Sequence, residues 1–186
     1  MRRVCVYLSS SAGRPAEAAA VQALGRELAA RGQTLVYGGA HRGLMGVLAD
    51  EVLAAGGTAI GVIPQALVDH EVAHAGLTEQ HVVTTMHERK ARMAALADGF
   101  IVAPGGFGTL EEAFEQLTEI QLGYHHKPLV FLEVDGFWAR LAGFLDHAVA
   151  IGVLRPEMRA LFHIAPTPAA ALDALASSTN AAAARR

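Results

Sequence analysis

Two short segments carry most of the chemistry this sequence can offer. The first, residues 104–112, reads Pro-Gly-Gly-Phe-Gly-Thr-Leu-Glu-Glu: a glycine-rich turn running straight into paired carboxylates. Bare glycines let backbone N–H groups approach an anion, and a helix opening at such a turn adds the positive end of its dipole. Glu111 and Glu112 then stand just behind the anion site, where one carboxylate can face a sugar whose phosphate the turn holds. Thr109 and Glu112 also fit a capping box, in which hydroxyl and carboxylate satisfy the first helical N–H groups. The dipole favours both roles, and residue types alone do not separate them.

The second segment, residues 84–93, reads Thr-Thr-Met-His-Glu-Arg-Lys-Ala-Arg-Met. Thr85 with Glu88 forms another capping-box pattern, so a helix starts here, and Arg89 and Lys90 fall within its first two turns. Cations at that end oppose the dipole by roughly 0.3 kcal/mol or more unless something negative lies close. They form either a solvated basic face or an oriented pair for a phosphate.

Other chemistries lose support. Glu111 stands where a dinucleotide fingerprint needs its third glycine, neither lysine follows a glycine-rich loop, and no G-x-S-x-G elbow occurs. Lys90 and Lys127 are the only lysines a Schiff-base enzyme could use. His70-Glu71-Val72-Ala73-His74 matches the H-E-x-x-H zinc pattern, which on a helix places both imidazoles on one face. Gly76 and Leu77 break its longer form, however, and nine histidines make a chance match easy. Neither a metal nor any other cofactor is expected.

Stepping outward, short apolar runs alternate with segments of helical period. Strands are expected at Arg3–Leu8, Thr34–Tyr37, Thr58–Ile63, His81–Val83, Phe100–Ala103 and Leu129–Leu132, and a weaker one at Phe162–Ile164. They read as continuous apolar runs, as strands buried on both faces do. Helices are expected over Pro15–Arg31, Gly43–Ala55, Met86–Ala97, Leu110–Leu122, Phe137–Ile151 and Pro168–Ala176. The alternation predicts an α/β fold, a Rossmann-like doubly wound parallel sheet in a single domain over 1–178, with a flexible tail over 179–186. In such sheets ligands bind outside the carboxyl ends of the strands. The turns there begin with Ser9, Ser10 and Ser11 after the first strand, Gly38 and Gly39 after the second, and Pro104, Gly105 and Gly106 after the fifth. One such turn makes a tight bend; three converging make a phosphate-bearing ligand the better reading.

Composition sets the outer limits. The chain has 186 residues, 52% of them hydrophobic, which is ample apolar surface to offset ordering entropy and excludes a disordered chain. A formal charge of −3 without a Lys/Arg run leaves no footprint for nucleic acid. No uncharged apolar stretch reaches the roughly 18 residues of a membrane span, so no membrane partner is expected. Cys5 has no second cysteine to pair with, and the first residues lack the core of an exporting leader; the expected location is cytoplasmic.

Taken together, the segments resemble the Lonely Guy family, the cytokinin riboside 5′-monophosphate phosphoribohydrolases, which often carry a lysine-decarboxylase label. The family's PGGxGTxxE is matched by Pro104, Gly105, Gly106, Gly108, Thr109 and Glu112; its Met-His-x-Arg-Lys-x-x-Met is matched by Met86, His87, Arg89, Lys90 and Met93. YGG at 37–39, GLMG at 43–46, GVIP at 61–64 and Arg155-Pro156 extend the likeness over most of the chain. The resemblance implies a homodimeric enzyme that hydrolyses the N-glycosidic bond of N6-modified AMP, and AMP itself, to free base and ribose 5-phosphate. It implies Arg89 and Glu112 as catalytic residues. Glu71, Lys90, the turn Gly105, Gly106, Gly108, Thr109 and Glu111, and Thr118 would contact the nucleotide, with Ser10, Gly39, Gly43 and Met45 from the earlier turns. Ser9 and Ala40 depart from the family pattern by standing where glycines are usual, which narrows backbone approach. A non-catalytic nucleotide or molybdopterin-cofactor carrier, built on the same kind of turns, is the competing class.

Overall fold

A computed structural model describes residues 1–70 and 72–183. Seven parallel strands form one sheet: β1 (Arg3–Tyr7), β2 (Thr34–Tyr37), β3 (Thr58–Pro64), β4 (Glu79–Val83), β5 (Gly99–Val102), β6 (Leu129–Leu132) and β7 (Phe162–Ala165), in spatial order β4-β3-β2-β1-β5-β6-β7. The chain winds outward from β1 to β4, then returns to lay β5 on the other side of β1, so the direction of winding reverses between β1 and β5. The register there pairs Tyr7 with Val102. It continues into the turns through Ala103 N–H to Tyr7 O (2.9 Å) and Ser9 N–H to Pro104 O (3.2 Å). At such a reversal the following turns splay to opposite faces and open a crevice.

Strand alternation explains the two cores. Val4, Val6 and Leu8 of the first strand and its end face one side, with α1 (Pro15–Ala30), α2 (Gly43–Ala54) and α8 (Pro168–Ala183) packing there through Val21, Leu24, Leu28, Leu48 and Leu172. Cys5 and Tyr7 face the other side, against α4 (Met86–Leu96), α5 (Phe107–Leu122) and α6 (Ala139–Ala150), whose Met93, Ala113, Leu117 and Leu145 complete that core. Each fully buried leucine contributes roughly 1.5–3 kcal/mol. Because both faces are covered, β1, β2, β5 and β6 are buried nearly throughout, as their unbroken apolar sequences require. No helix among the described residues is long and apolar enough to cross a membrane.

Boundaries move where side-chain pattern and backbone chemistry part company. β4 begins at Glu79, two residues before its apolar stretch, and leaves Glu79, Gln80 and Val82 exposed, because it is a sheet edge paired only to β3. α5 starts at Phe107, three residues before Leu110, with Gly106 as its N-cap. α6 starts at Ala139, because Asp135 (φ 50°) and Gly136 (φ 75°) turn the chain ahead of Phe137. Two short helices, α3 (Gln65–Asp69) and α7 (Pro156–Arg159), follow prolines or begin on them and were not anticipated. α8 runs to Ala183 and not to 176, so helix enters the region expected to be a flexible tail.

Gly43 ties the first two turns together. Its φ is +57°, and a Cβ there would stand 2.2 Å from Ser10 O, a backbone atom that cannot yield. Gly32 has a similar φ of +62° but faces open space. Gly32→Ala should therefore cost about 1 kcal/mol, the penalty of the left-handed backbone alone. Gly43→Ala should cost at least about 2 kcal/mol more, read as the difference in urea-unfolding free energy.

Candidate active site

The three small-residue turns do converge. Ser9, Ser10 and Ser11, then Gly38, Ala40 and Arg42, then Gly106, Phe107, Gly108 and Thr109 surround a cleft of about 490 Å³ at the carboxyl edge of the sheet. Met45, Leu67 and Val72 supply an apolar wall, and Arg89 and Glu112 also line it. The three helix ends beside these turns are not equivalent. Arg14 and Glu17 close the first turn of α1 on itself: Arg14 N–H donates to Glu17 Oε2 (2.9 Å), and the two side chains pair. On α2 the Leu44 N–H donates to Ser11 O (3.1 Å). α5 has a glycine N-cap and no side-chain cap, so its first-turn amides face the cleft uncapped. The open amino end of α5 is thus suited to hold an anion.

This geometry removes the capping-box reading of Thr109 and Glu112. With Gly106 as N-cap, Thr109 is already the third helical residue and Glu112 lies one turn further in. Gly108, Thr109 and Glu112 share a face at spacings of three and four, and that face is the cleft's. Glu111 is rotated about 100° away. It meets Lys90 from outside, where Lys90 Nζ also donates to Glu115 Oε1 (3.0 Å) one helical turn along. Helix phase therefore separates two adjacent glutamates into a surface partner and a cleft residue.

Glu112 is 5% exposed and Arg89 6%. Arg89 Nη1 lies 3.4 Å from Glu112 Oε1. The guanidinium is fixed from behind by two strand ends: Nε donates to Val62 O (3.1 Å) and Nη2 to Gly38 O (3.4 Å). Burial pushes the Glu112 carboxyl up to about 7; the Arg89 charge pulls against it, Glu111 and Glu115 add to the rise, and Lys90 lowers it. Beneath the pair, Cys5 and Tyr7 are buried, and both are held neutral by desolvation with the Glu112 charge adding to the effect. A carboxyl poised near neutrality beside a fixed cation, opening on a cleft with uncapped amides, can exchange a proton or stabilise positive charge on a bound group. The Thr85–Glu88 capping box that starts α4 is present in full (Glu88 N–H to Thr85 Oγ1, 3.1 Å), and it sets the phase that turns Arg89 inward.

The other expected contacts divide. Ser10, Met45, Gly106, Gly108 and Thr109 line the cleft with Arg89 and Glu112. Gly105 faces a second hollow, beside Arg14, Glu17 and Phe137. Gly39 and Gly43 form the backbone behind the walls, Gly39 O accepting from His74 N–H (2.9 Å). Lys90 and Glu111 pair with each other outside the cleft. Thr118 donates to Phe114 O (2.7 Å) and borders a groove between α5 and α6. Glu71 lies outside the described residues. The H-E-x-x-H pattern does not fall on a helix: α3 ends at Asp69 and His74 pairs with Asp50 (3.0 Å). Among the described residues no group of three or more His, Cys, Asp or Glu side chains is placed to hold a metal ion. Leu67 and Val72 were missed because the residue types around them give no signal for lining the cleft; the family resemblance pointed to this stretch only through Glu71. The segment 65–74 is drawn there by an antiparallel bridge between Ala40 and Ala73 and by His41 N–H to Val72 O (2.9 Å).

A doubly wound α/β protein with an acid and a guanidinium buried together in a cleft at the carboxyl edge of its sheet belongs to the class that acts on small molecules. Residues 45–175 match the family model described as "Possible lysine decarboxylase". A rice protein named cytokinin riboside 5′-monophosphate phosphoribohydrolase LOG (Oryza sativa subsp. japonica) is 48% identical over 168 residues, 89% of this chain and 69% of that one. An Arabidopsis thaliana protein of the same enzyme name is 45% identical over 166 residues, 89% of this chain and 73% of that one. The chain belongs to this family, the Lonely Guy group anticipated from its two motifs. At the level of fold alone it is similar to the molybdenum cofactor carrier protein of Chlamydomonas reinhardtii (TM-score 0.73, 20% identity, 96% of this chain and 98% of that one). The same holds for a molybdenum cofactor binding protein from Rippkaea orientalis (TM-score 0.72, 20% identity, 95% and 96%).

Burial of Glu112 has a consequence for stability. A carboxyl raised from 4.5 in the unfolded chain to about 7 in the fold binds its proton more tightly when folded. Its contribution is therefore greatest below pH 4.5 and is lost as pH rises through 7. Glu112→Gln removes that dependence. Urea unfolding at pH 4.5, 6 and 8 should show the variant gaining on the parent with pH, by up to about 3 kcal/mol. A difference that stays flat contradicts a charge buried this deeply.

Proposed function

We propose that the chain hydrolyses the N-glycosidic bond of AMP-type nucleoside 5′-monophosphates, including N6-modified cytokinin riboside monophosphates, releasing free base and ribose 5-phosphate. The observation that carries this reading is the buried Glu112–Arg89 pair one turn inside the open end of α5. In this reading the 5′-phosphate rests on the α5 amides and the serine turn, which holds C1′ against the acid. As the C1′–N9 bond lengthens, positive charge grows on the sugar and the Glu112 carboxylate stabilises it. As the C1′–N9 bond breaks, water adds to C1′; the proton it loses passes to the Glu112 carboxylate and from there to the departing base, which returns the carboxylate to its starting state. Arg89 keeps enough of Glu112 ionised near pH 7 for this to work. The apolar wall of Met45, Leu67 and Val72 suits a base or its N6 substituent.

We further infer a cytoplasmic homodimer. Leu122, Phe144, Ile151 and Val153 stand exposed on and beside α5 and α6, apolar side chains that contact with a second copy would cover. The likeness to molybdenum cofactor carriers, at 20% identity, extends to the fold alone, whereas relatives 45–48% identical are named as phosphoribohydrolases.

Incubation with AMP and isopentenyl-AMP should yield free base and ribose 5-phosphate. Glu112→Gln should lower kcat by about 10³-fold or more and Arg89→Ala by about 10²-fold, with folding retained. Nucleotide binding without base release, even at high enzyme concentration, would favour the carrier. Sedimentation equilibrium should give twice the chain mass; a monomer at micromolar concentration removes the dimer.

A further inference from the structure

We propose that Gly38 is a positioning residue whose missing side chain forms the slot that holds the Arg89 guanidinium against Glu112. A Cβ built on Gly38 would lie 1.8 Å from Arg89 Nη2 and 3.0 Å from its Cζ, with Met45 Cε next at 3.4 Å. Nothing in the backbone demands glycine here. Gly38 is absent from the residues with positive φ, whereas its neighbour Gly39 has φ +74° and would also crowd the Val62 backbone. The two adjacent glycines thus answer to different constraints: Gly39 to the path of the chain, Gly38 to the space a cation occupies.

The same residue acts twice on that cation. Its carbonyl accepts from Arg89 Nη2 (3.4 Å), and its bare Cα lets the guanidinium lie close enough to do so while Nη1 reaches Glu112. A methyl at this point would push the planar group away from Val62 O, Gly38 O and the carboxylate together, since Nε, Nη1 and Nη2 belong to one rigid plane. Displacement of a reacting constellation by about 1 Å is enough to cost on the order of 10²-fold in rate. The atoms in the way are the far end of a flexible side chain and not backbone, so the fold can accept the methyl by yielding at Arg89.

The role in turnover rests on the hydrolase reading above; the role in placing the cation does not. The decisive experiment therefore compares Gly38→Ala, Arg89→Ala and the double variant by two readouts. The first is the carbon-13 carboxyl titration of Glu112, assigned by its disappearance in Glu112→Gln. Gly38→Ala should shift that titration upward, as Arg89→Ala does, because both take the cation from the carboxyl; the double variant should shift it no further. The second is kcat on isopentenyl-AMP, expected to fall about 100-fold in Gly38→Ala with a smaller change in KM, and to be no lower in the double variant than in Arg89→Ala. A titration unmoved by Gly38→Ala, or effects that add in the double variant, would overturn the proposal. If the parent protein proves inactive, the titration still decides it. Should Gly38→Ala fold poorly, thermal unfolding in the Arg89→Ala background settles the matter: recovery of stability there supports the slot, and equal damage in both backgrounds refutes it.

Discussion

The contact on which the rest of the architecture turns is a carboxylate and a guanidinium shut away from water together. Neither ion is tolerable there alone. A buried arginine without acceptors, or a buried glutamate without a cation, costs several kcal/mol. The fold meets that requirement with main chain as much as with charge: Val62 and Gly38 carbonyls at the ends of β3 and β2 fix the guanidinium, which in turn offers one nitrogen to Glu112. Parallel strands make this arrangement available, because their carboxyl ends all point to the same edge of the sheet, where carbonyls without a further strand partner can serve as acceptors.

The pair's environment also shows why Lys90 is not a spare copy of Arg89. A lysine next in sequence lies about 100° around the helix, and here it is no less buried than the arginine. Its two acid partners, Glu111 and Glu115, are successive turns of α5, so Lys90 acts as a clasp between α4 and α5. Desolvation works against the ammonium, but the hydrogen bonds it donates to these acids, together with their charges, outweigh it and hold Lys90 charged. That clasp fixes the rotation of both helices about their axes. Rotation of either one would carry Arg89 or Glu112 out of line.

Much of this was legible from residue types. Continuous apolar runs in β1, β2, β5 and β6 announced a sheet covered on both faces, and the period of Val21, Leu24 and Leu28 announced the helix that covers it. The Thr85–Glu88 box named the start of α4 correctly because a side-chain cap leaves a mark in the sequence. α5 was placed three residues late for the opposite reason: its N-cap is Gly106, and a helix begun without a side-chain cap leaves no such mark. That one boundary decided the reading of Glu112, which looked equally suited to capping and to chemistry until the phase of the helix was known. The placement of Leu67 and Val72 at the cleft was out of reach of residue types for another reason, although the family resemblance had pointed to Glu71 between them. It depends on a single bridge between Ala40 and Ala73, residues whose side chains say nothing about pairing. Thr118 and Lys90 sit away from the cleft because neighbours in the helix, and not distance along the chain, decide which way a side chain projects.

The sealed amino end of α1 sets this molecule apart from the general dinucleotide-binding form of a doubly wound sheet. There the helix after the first strand receives a pyrophosphate. Here Glu17, almost wholly buried, already occupies that position as a built-in anion, with Arg14 locked over it. On the proposed reading the task passes across the reversal point to a helix four strands later in the sequence. On that reading a guest with one terminal phosphate would rest at the open end of α5, and a longer, twice-charged bridge would meet an acid of the protein's own at α1.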